Sequence, residues 1–465
     1  MENKILVLLT LYCFLTPNMV FSATNDRSRP HTVGVLRQII AENDQSPSGE
    51  IRTEQTWYGV ETESGLVPIS TKQENLADMV NKQVILTIAK NGSHSVQLTE
   101  EAKAETGGPL VAGELNIPQP SLGPRKILVI MVNFQNDTRQ VASESQIRTV
   151  MFRGANSANG FLLESSFYSL WLTGQQVAEG DVQTWVTIPF NNTNCATNMF
   201  NAWTQSADNM AEANGFSKTN YQLRFYMFPS IPGCTFTANA TAGTLGDPNS
   251  MARAWFQLPD DSSQLDSKIK SFYHEAGHML GVPRHSGYQE TEASPVIDAD
   301  DKGDFLAGVG RYLPSNVNRV RFGWLRGKIE VHNQAITLSY TLTPPSVISK
   351  GAKVIRIPLK DALGNFIGKS IWVESRKNMS SSFEFFATNH LAYRDGVTIR
   401  YVEDDLVNVQ TKPIVRDTTP GSPIGADDAP LQQGLSYTDS TYGVTIQLVR
   451  ASDSLGDRVV VTTTR

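Results

Sequence analysis

The sequence predicts an α+β protein, with a mixed-sheet domain between a small β-rich N-terminal domain and a C-terminal β-sandwich-like domain. The apolar run Lys126–Phe134 is too continuous for a half-exposed strand and indicates a strand covered on both faces. Helical and strand patterns then alternate as far as about residue 330. Beyond that point helical periodicity disappears, and short strands separated by Gly, Pro, Asn and Asp indicate the sandwich.

The composition bounds the class of protein. A chain of 465 residues with 40% hydrophobic content can bury two or three separate cores. The formal charge of −6 argues against a nucleic-acid partner, because nucleic-acid binders need a basic surface that displaces counterions. Beyond the N-terminus no apolar run exceeds the length of a strand, so we expect no membrane span.

The first segment, residues 1–23, has the pattern of a secretory signal peptide, which predicts a secreted protein. Lys4 supplies a positive charge, Ile5–Leu15 is largely apolar, and Ser22 and Ala23 offer cleavage sites. A buried strand or a membrane anchor is the alternative, although the apolar stretch is short for a bilayer core of about 30 Å.

The segments that follow are assigned from strand and turn signals. Residues 24–106 are expected to form a β-rich leader, either a propeptide or an accessory domain, with strands at Thr56–Val60 and Gln83–Ile88 and a hairpin turn at Asn91-Gly92. Residues 107–124 are rich in Gly and Pro and are expected to be a linker.

Residues 125–330 form the predicted catalytic-size domain, and residues 331–465 form the predicted C-terminal β domain. The helical patterns of the first lie near residues 145–151, 160–171 and 197–214, and its further strand patterns near 185–189 and 223–228. In an exported protein, Cys195 and Cys234 are expected to form a disulfide, with two free buried thiols as the alternative.

Three of the seven histidines lie within twelve residues, around the string His274-Glu275-Ala276-Gly277-His278. A helix is predicted here because Asp266 is a good N-cap and Gly281 is a helix stop. An apolar stripe for packing is formed by Ile269, Tyr273, Ala276 and Leu280.

On this helix His274 and His278 lie one turn apart, so that both imidazoles can reach a single ion. Neutral imidazole suits Zn²⁺. Glu275 is rotated off that face and would serve as general base toward a water that the metal activates. The alternative is that these are ordinary surface or core histidines on a helix. A third histidine, His285, just beyond Gly281, argues against that alternative.

The pattern His-Glu-x-x-His-x-x-Gly followed closely by His resembles the metzincin clan of zinc endopeptidases, and within it the gametolysin family and its bacterial relatives. The resemblance covers roughly residues 124–450, including Ser166–Gly174, Phe322–Leu325, Asp417–Ser422 and Gly443–Ile446. It implies a metzincin-like catalytic domain and hydrolysis of protein or peptide substrates. It also implies one catalytic Zn²⁺ held by His274, His278 and His285, with Glu275 as the general base.

Two features depart from the family pattern. Arg284 stands where the family has its third histidine, and arginine cannot coordinate a metal, so His285 requires a loop longer by one residue. The Gly-x-Pro sequence at 281–283 also resembles immune-inhibitor-A-like metallopeptidases, for which a carboxylate is the alternative third ligand. No methionine lies between Met279 and Met379 to form the family's methionine turn, and Ile297 is expected to take its place.

Two further expectations remain open at the level of sequence. The acidic run Asp298, Asp300, Asp301 and Asp304 is interpreted as a solvated loop in preference to a Ca²⁺ site, because Lys302 and Val309 stand where an EF-hand needs acceptors. The departures from the family also leave an alternative function, a secreted binding or adhesion protein on a degenerate protease scaffold.

Overall fold

The structure is a computed structural model that describes residues 31–42, 55–62, 65–69, 71, 73, 75–80, 82–89, 93–99, 114–193, 197–234, 236–307, 311–377, 381–384, 390–452 and 456–465. The predicted signal peptide, the Asn91-Gly92 turn, residues 107–113 of the linker and Cys195 lie outside these residues. The strands form two large sheets and the helices lie between them in the chain order, which confirms the predicted α+β class.

Short alternating segments build the leader, and most of its described residues lie in strands. The strands are β1 (His31–Glu42), β2 (Gln55–Thr62), β3 (Gly65–Pro68), β4 (Gln83–Ile88) and β5 (His94–Leu98). Inward residues of these strands and of a short 3₁₀ turn at Ala77–Met79 form a small core of their own, made of Leu36, Val60, Leu76, Met79, Val84, Leu86 and Val96. Strand β1 has no counterpart among the predicted elements.

The middle of the chain alternates strands and helices. Its strands are β6 (Gly123–Phe134), β7 (Leu170–Thr173), β8 (Asp181–Ile188), β9 (Leu223–Phe228), β10 (Ala238–Thr241), β11 (Ala252–Gln257) and β12 (Gly287–Gln289). Its helices are α1 (Glu144–Phe152), α2 (Ala158–Ser165), α3 (Thr197–Ala213), α4 (Ile269–Met279) and α5 (Asn316–Arg321). Helix α2 is shorter than predicted, because Phe167 and Tyr168 adopt positive φ angles of 52° and 60°.

One eleven-stranded sheet joins the leader to the middle segment. Strand β6 runs parallel to β7, β8 and β9, and β9 runs parallel to β11. Strand β10 then lies antiparallel to β11, and its other edge pairs with β1 of the leader. The sheet therefore continues across the predicted boundary between leader and catalytic domain.

The C-terminal part is built from a ten-stranded sheet. Besides β12, it contains β13 (Lys328–Val331), β14 (Thr337–Leu342), β15 (Ala352–Lys360), β16 (Phe366–Ser375), β17 (Val397–Glu403), β18 (Ile414–Arg416), β19 (Ser436–Asp439), β20 (Val444–Arg450) and β21 (Asp457–Thr463), with helix α6 (Leu391–Asp395) between β16 and β17. The sheet folds over on itself, since the hydroxyls of Tyr401 in β17 and Tyr437 in β19 lie 2.8 Å apart although these strands are distant in the sheet order.

Strand β12 ties the two parts together. It follows the clustered histidines directly and pairs in parallel with β18 of the C-terminal sheet. The two ends of the middle part of the chain also meet. Trp324, near its C-terminal end, is fully buried, and the indole N–H donates to the carbonyl of Ser121, just before β6, at 2.8 Å. Within the described part of the chain, no helix is long and apolar enough to cross a membrane.

Candidate metal centre

Helix α4 carries the first two histidines and is held by its apolar stripe. Its predicted stripe of Ile269, Tyr273, Ala276 and Leu280 is buried, and the Tyr273 ring stacks on Phe161 with centroids 3.8 Å apart. The predicted N-cap at Asp266 is wrong. A 3₁₀ turn, Ser262–Lys268, precedes the helix, and its cap is Asp261, whose side chain accepts from the Ser263 N–H.

Gly281 follows the C-terminal end of α4 and turns the chain back toward this helix. Its φ of +110° lies in the left-handed region, and a Cβ at this position would lie 2.2 Å from the backbone nitrogen of Leu245. Only glycine meets both conditions without strain. The turn brings the carbonyl of Val282 back over α4 and directs the following residues, including His285, toward the other two histidines.

The three predicted ligands converge on one point. The Nε2 atoms of His274 and His278 are 3.1 Å apart, and the Nε2 of His285 lies 3.3 Å and 3.2 Å from them. A tetrahedral zinc ion with bonds of about 2.0–2.1 Å requires its ligand nitrogens to lie about 3.3 Å apart. The triangle therefore has the size that one metal ion needs, and all three side chains are buried.

The outer nitrogens of the rings fix the protonation of the inner ones. Nδ1 of His274 lies 2.8 Å from the carbonyl oxygen of Phe305, and Nδ1 of His278 lies 2.7 Å from that of Val282. A carbonyl only accepts, so each Nδ1 is the donor, and in a neutral ring the Nε2 then presents the lone pair that a metal ligand needs. Two lone pairs cannot hydrogen-bond to each other, and a cation between them resolves the arrangement.

Glu275 and Arg284 occupy different environments beside this triangle. Glu275 follows His274 in α4 and is fully buried. Arg284, which stands at the family's usual ligand position, is only half-buried and is not a member of the metal-binding group. The chain thus accommodates the one-residue displacement of His285 in the turn after Gly281.

The interpretation of the acidic run as a solvated loop is wrong for two of its four members. Asp301 and Asp304 are fully buried. Asp301 accepts from Arg400 of β17 at 2.8 Å, and Asp304 accepts the backbone N–H groups of Leu306 and Ser315 at 2.8 Å and 2.9 Å. Burial raises the pKa of the Asp301 carboxyl, while Arg400 opposes that effect.

Two ion pairs argue against the Ca²⁺ alternative for this run. Asp298 pairs with Lys412 and Asp300 pairs with Lys302, so each of these two carboxylates already faces a cationic side chain. The one group of three or more metal-binding side chains among the described residues is the histidine triangle. The acidic run is therefore structural, and its turn positions Phe305.

Sequence reasoning missed the residues that support the site. The carbonyls of Phe305 and Val282 orient two rings, but a backbone acceptor leaves no signature in side-chain identity. Ile297, expected as the hydrophobic floor, instead pairs with Tyr288 and packs in a separate cluster with Val415.

No family model matches the sequence, and no curated protein matches it either. The structure shows an α+β protein with a buried cluster of His274, His278 and His285 that could hold a metal ion.

Proposed function

We propose that this chain is a secreted zinc-dependent endopeptidase of the metzincin type, similar to the gametolysin family. The observation that carries the proposal is the convergence of three imidazole Nε2 atoms, 3.1–3.3 Å apart, next to the buried carboxylate of Glu275. Secretion rests on the signal-peptide pattern of residues 1–23, and protein or peptide substrates rest on the resemblance.

Zinc is the metal that this donor set favours. Three neutral imidazoles suit Zn²⁺, whereas Ca²⁺ and Mg²⁺ prefer oxygen ligands. The group found in the described residues has three members, which leaves a fourth tetrahedral position open, as in catalytic zinc sites. When bound, Zn²⁺ lowers the pKa of a water to about 7 and polarises a substrate carbonyl.

Glu275 supplies the proton transfers that peptide hydrolysis requires. Successive helical residues are rotated by about 100°, so its carboxylate lies beside the ligand face of α4 without belonging to it. Within a buried site it can accept a proton from the attacking water and then deliver it to the leaving amine. His274 and His278 are held by backbone carbonyls throughout, which keeps the reaction geometry constant.

The position of His285 supports a third histidine ligand over the carboxylate of the immune-inhibitor-A-like alternative. Its Nε2 lies within 3.3 Å of both partner nitrogens, and no carboxylate joins the group in the part of the chain that is described. Helix α4 packs against β10 and β11 of the mixed sheet, which supports a metzincin-like arrangement of residues 125–330.

Metal analysis and a matched pair of carboxyl variants test the proposal. Purified protein is expected to contain about one zinc per chain. Glu275→Gln is expected to keep the zinc and lose about 10²–10⁴-fold in casein cleavage, the range for a general acid–base group. Glu144→Gln, at an exposed carboxyl on α1, is the control and should cleave like the wild type. Zinc without Glu275-dependent cleavage would instead support the binding or adhesion scaffold.

A further inference from the structure

A polar cavity lies in the C-terminal part of the chain, beside the residues that follow β12. Its volume is about 350 Å³, within the range of ~300–1,000 Å³ that is typical of ligand sites. Three segments meet around it, namely the loop after β12, the end of β18 with the residues beyond it, and β19 with the turn that follows. Of the described residues that line it, Pro420 alone lacks a polar side chain, which argues against an apolar ligand.

Arg416, the last residue of β18, brings a buried cation to this lining. The residue is only 6% exposed, and its guanidinium carbon lies 4.6 Å from the centroid of the Tyr401 ring. Its Nε and Nη1 atoms are buried and donate to no group among the described residues, and the less enclosed Nη2 has no partner there either. A buried charged donor without an acceptor costs free energy, so a bound molecule that offers an acceptor oxygen would stabilise this arrangement.

The hydroxyl of Tyr437 provides an acceptor in the same lining. Tyr401 donates its one hydroxyl proton to the carboxylate of Asp439. The hydroxyl of Tyr437 lies 2.8 Å from that of Tyr401 and must therefore be the donor in this pair. Its proton is used inside the protein, so the oxygen of Tyr437 is left to accept a hydrogen bond from a ligand.

Two glutamates of the loop after β12 provide further acceptors. One carboxylate oxygen of Glu290 accepts from the N–H of Gly421 at 2.9 Å, and one of Glu292 accepts from the hydroxyl of Thr441 at 3.1 Å. The second oxygen of each carboxylate accepts no hydrogen bond from the part of the chain that is described. The cavity thus combines unused donors on one side chain with unused acceptors on others.

The charges of the lining decide the class of ligand. Four carboxylates oppose one cation and would repel an anion; these five charged residues are Glu290, Glu292, Asp417, Asp439 and Arg416. The oxygens of Asp417 and Asp439 already accept hydrogen bonds within the protein, and Arg416 repels a cation. A neutral molecule with groups that both donate and accept is the remaining class.

We propose that this cavity is a carbohydrate-binding site and that its ligand is a neutral sugar residue. A sugar hydroxyl both donates and accepts, so one ring can accept from Arg416 while it donates to Glu290 and Tyr437. The site adjoins the metal loop in the chain, because β12 begins two residues after His285 and Glu290 directly follows β12. The inference goes beyond the proposed peptidase function, and sugar binding does not depend on it.

Titration of the full chain with simple glycosides tests the proposal. The probes are the methyl glycosides of galactose, glucose, mannose and N-acetylglucosamine, and saturation-transfer difference NMR measures their binding. At least one of the four is expected to bind, and the methyl glycoside of N-acetylneuraminic acid, an anion, is expected to bind more weakly than that sugar. Binding of none of the four, or tighter binding of the anionic sugar, would overturn the proposal.

A matched pair of arginine variants places the sugar in the cavity. Arg416→Met removes the buried donor and is expected to weaken sugar binding at least about 10-fold, as for hydrogen bonds to charged groups. Its fold is expected to persist, because an unpaired buried charge is replaced by an apolar side chain. Arg458→Met, at an exposed position of β21 outside the lining, is the control and should bind within about 2-fold of the wild type. Equal binding by the two variants would contradict the assignment.

A second variant keeps the test decisive if Arg416→Met does not fold. Glu292 is exposed, so Glu292→Ala leaves the buried packing intact, and the loss of one acceptor is expected to weaken sugar binding about 3–10-fold. Unchanged binding by Glu292→Ala would place the sugar elsewhere and overturn the assignment. Sugar binding without Glu275-dependent casein cleavage would contradict the peptidase function alone, whereas casein cleavage without sugar binding would contradict this inference alone.

Discussion

The Nδ1–H of His278 donates a hydrogen bond to the carbonyl of Val282, 2.7 Å away, in the turn that ends its own helix. This bond couples the shape of the turn to the tautomer of the ligand, because a proton on Nδ1 places the lone pair of the neutral ring on Nε2, where the metal would bind. This turn requires glycine at position 281, because the φ of Gly281 is +110°. Local backbone geometry therefore decides the chemistry of a side chain one turn earlier.

Gly281→Ala tests this coupling. Backbone strain and the contact with Leu245 are expected to displace Val282 and to weaken zinc affinity about 10–100-fold, as for other outer-shell losses. The measurement is competition for zinc with a chromophoric chelator. Gly364→Ala is the matched control, since its φ is +84° but no atom lies within 4 Å of the added Cβ. Equal zinc affinities for the two variants would contradict the coupling.

The third ligand is tested by exchanging neighbours. His285→Ala removes one corner of the Nε2 triangle and is expected to weaken zinc binding by more than about 100-fold, beyond the range of outer-shell changes. Arg284→Ala should retain about one zinc per chain. Metal content after dialysis against a chelator distinguishes them, and full retention by His285→Ala would point to a carboxylate ligand instead.

The pairing of Arg400 with Asp301 predicts a large stability effect. Both side chains are fully buried, and Arg400 also pairs with Glu374. Arg400→Met leaves two buried carboxylates without their cation and is expected to lower the free energy of unfolding by about 3–5 kcal/mol. Lys369→Met breaks an exposed pair with Glu403 on the same strands and should cost at most about 1 kcal/mol. Urea denaturation measures both, and similar values would refute the role of burial.

His332 predicts a pH dependence of stability. Burial lowers the pKa of His332 below its usual 6.5, and the ring bonds Tyr340 and Thr463 at 3.0 Å and 3.1 Å. Below pH 6.5 the unfolded chain binds a proton that the folded chain does not, so this residue's stabilisation is lost as the pH falls through that range. His332→Gln should therefore lose less stability than the wild type between about pH 7 and pH 5. Parallel slopes in urea denaturation would rule this contribution out.

Local patterns predicted many of the elements. The apolar run of β6, the stripe of α4 and the strands β15, β16 and β17 were predicted because their hydrophobic periodicity is strong. Strand β10 has the sequence Ala-Asn-Ala-Thr, without the β-branched and aromatic residues that mark strands, so only its pairing with β11 and β1 defines it.

The sequence by itself determined the candidate chemistry, since His274, Glu275 and His278 lie on one predicted helix whose spacing dictates their relative positions. Tertiary structure alone decided the rest. It brought His285 to the other two rings, buried Asp301 against Arg400, and laid β1 along β10 beside the metal centre. Those contacts join residues that are distant in the chain or separated by a turn, and their energies depend on burial and long-range pairing, which no local pattern encodes.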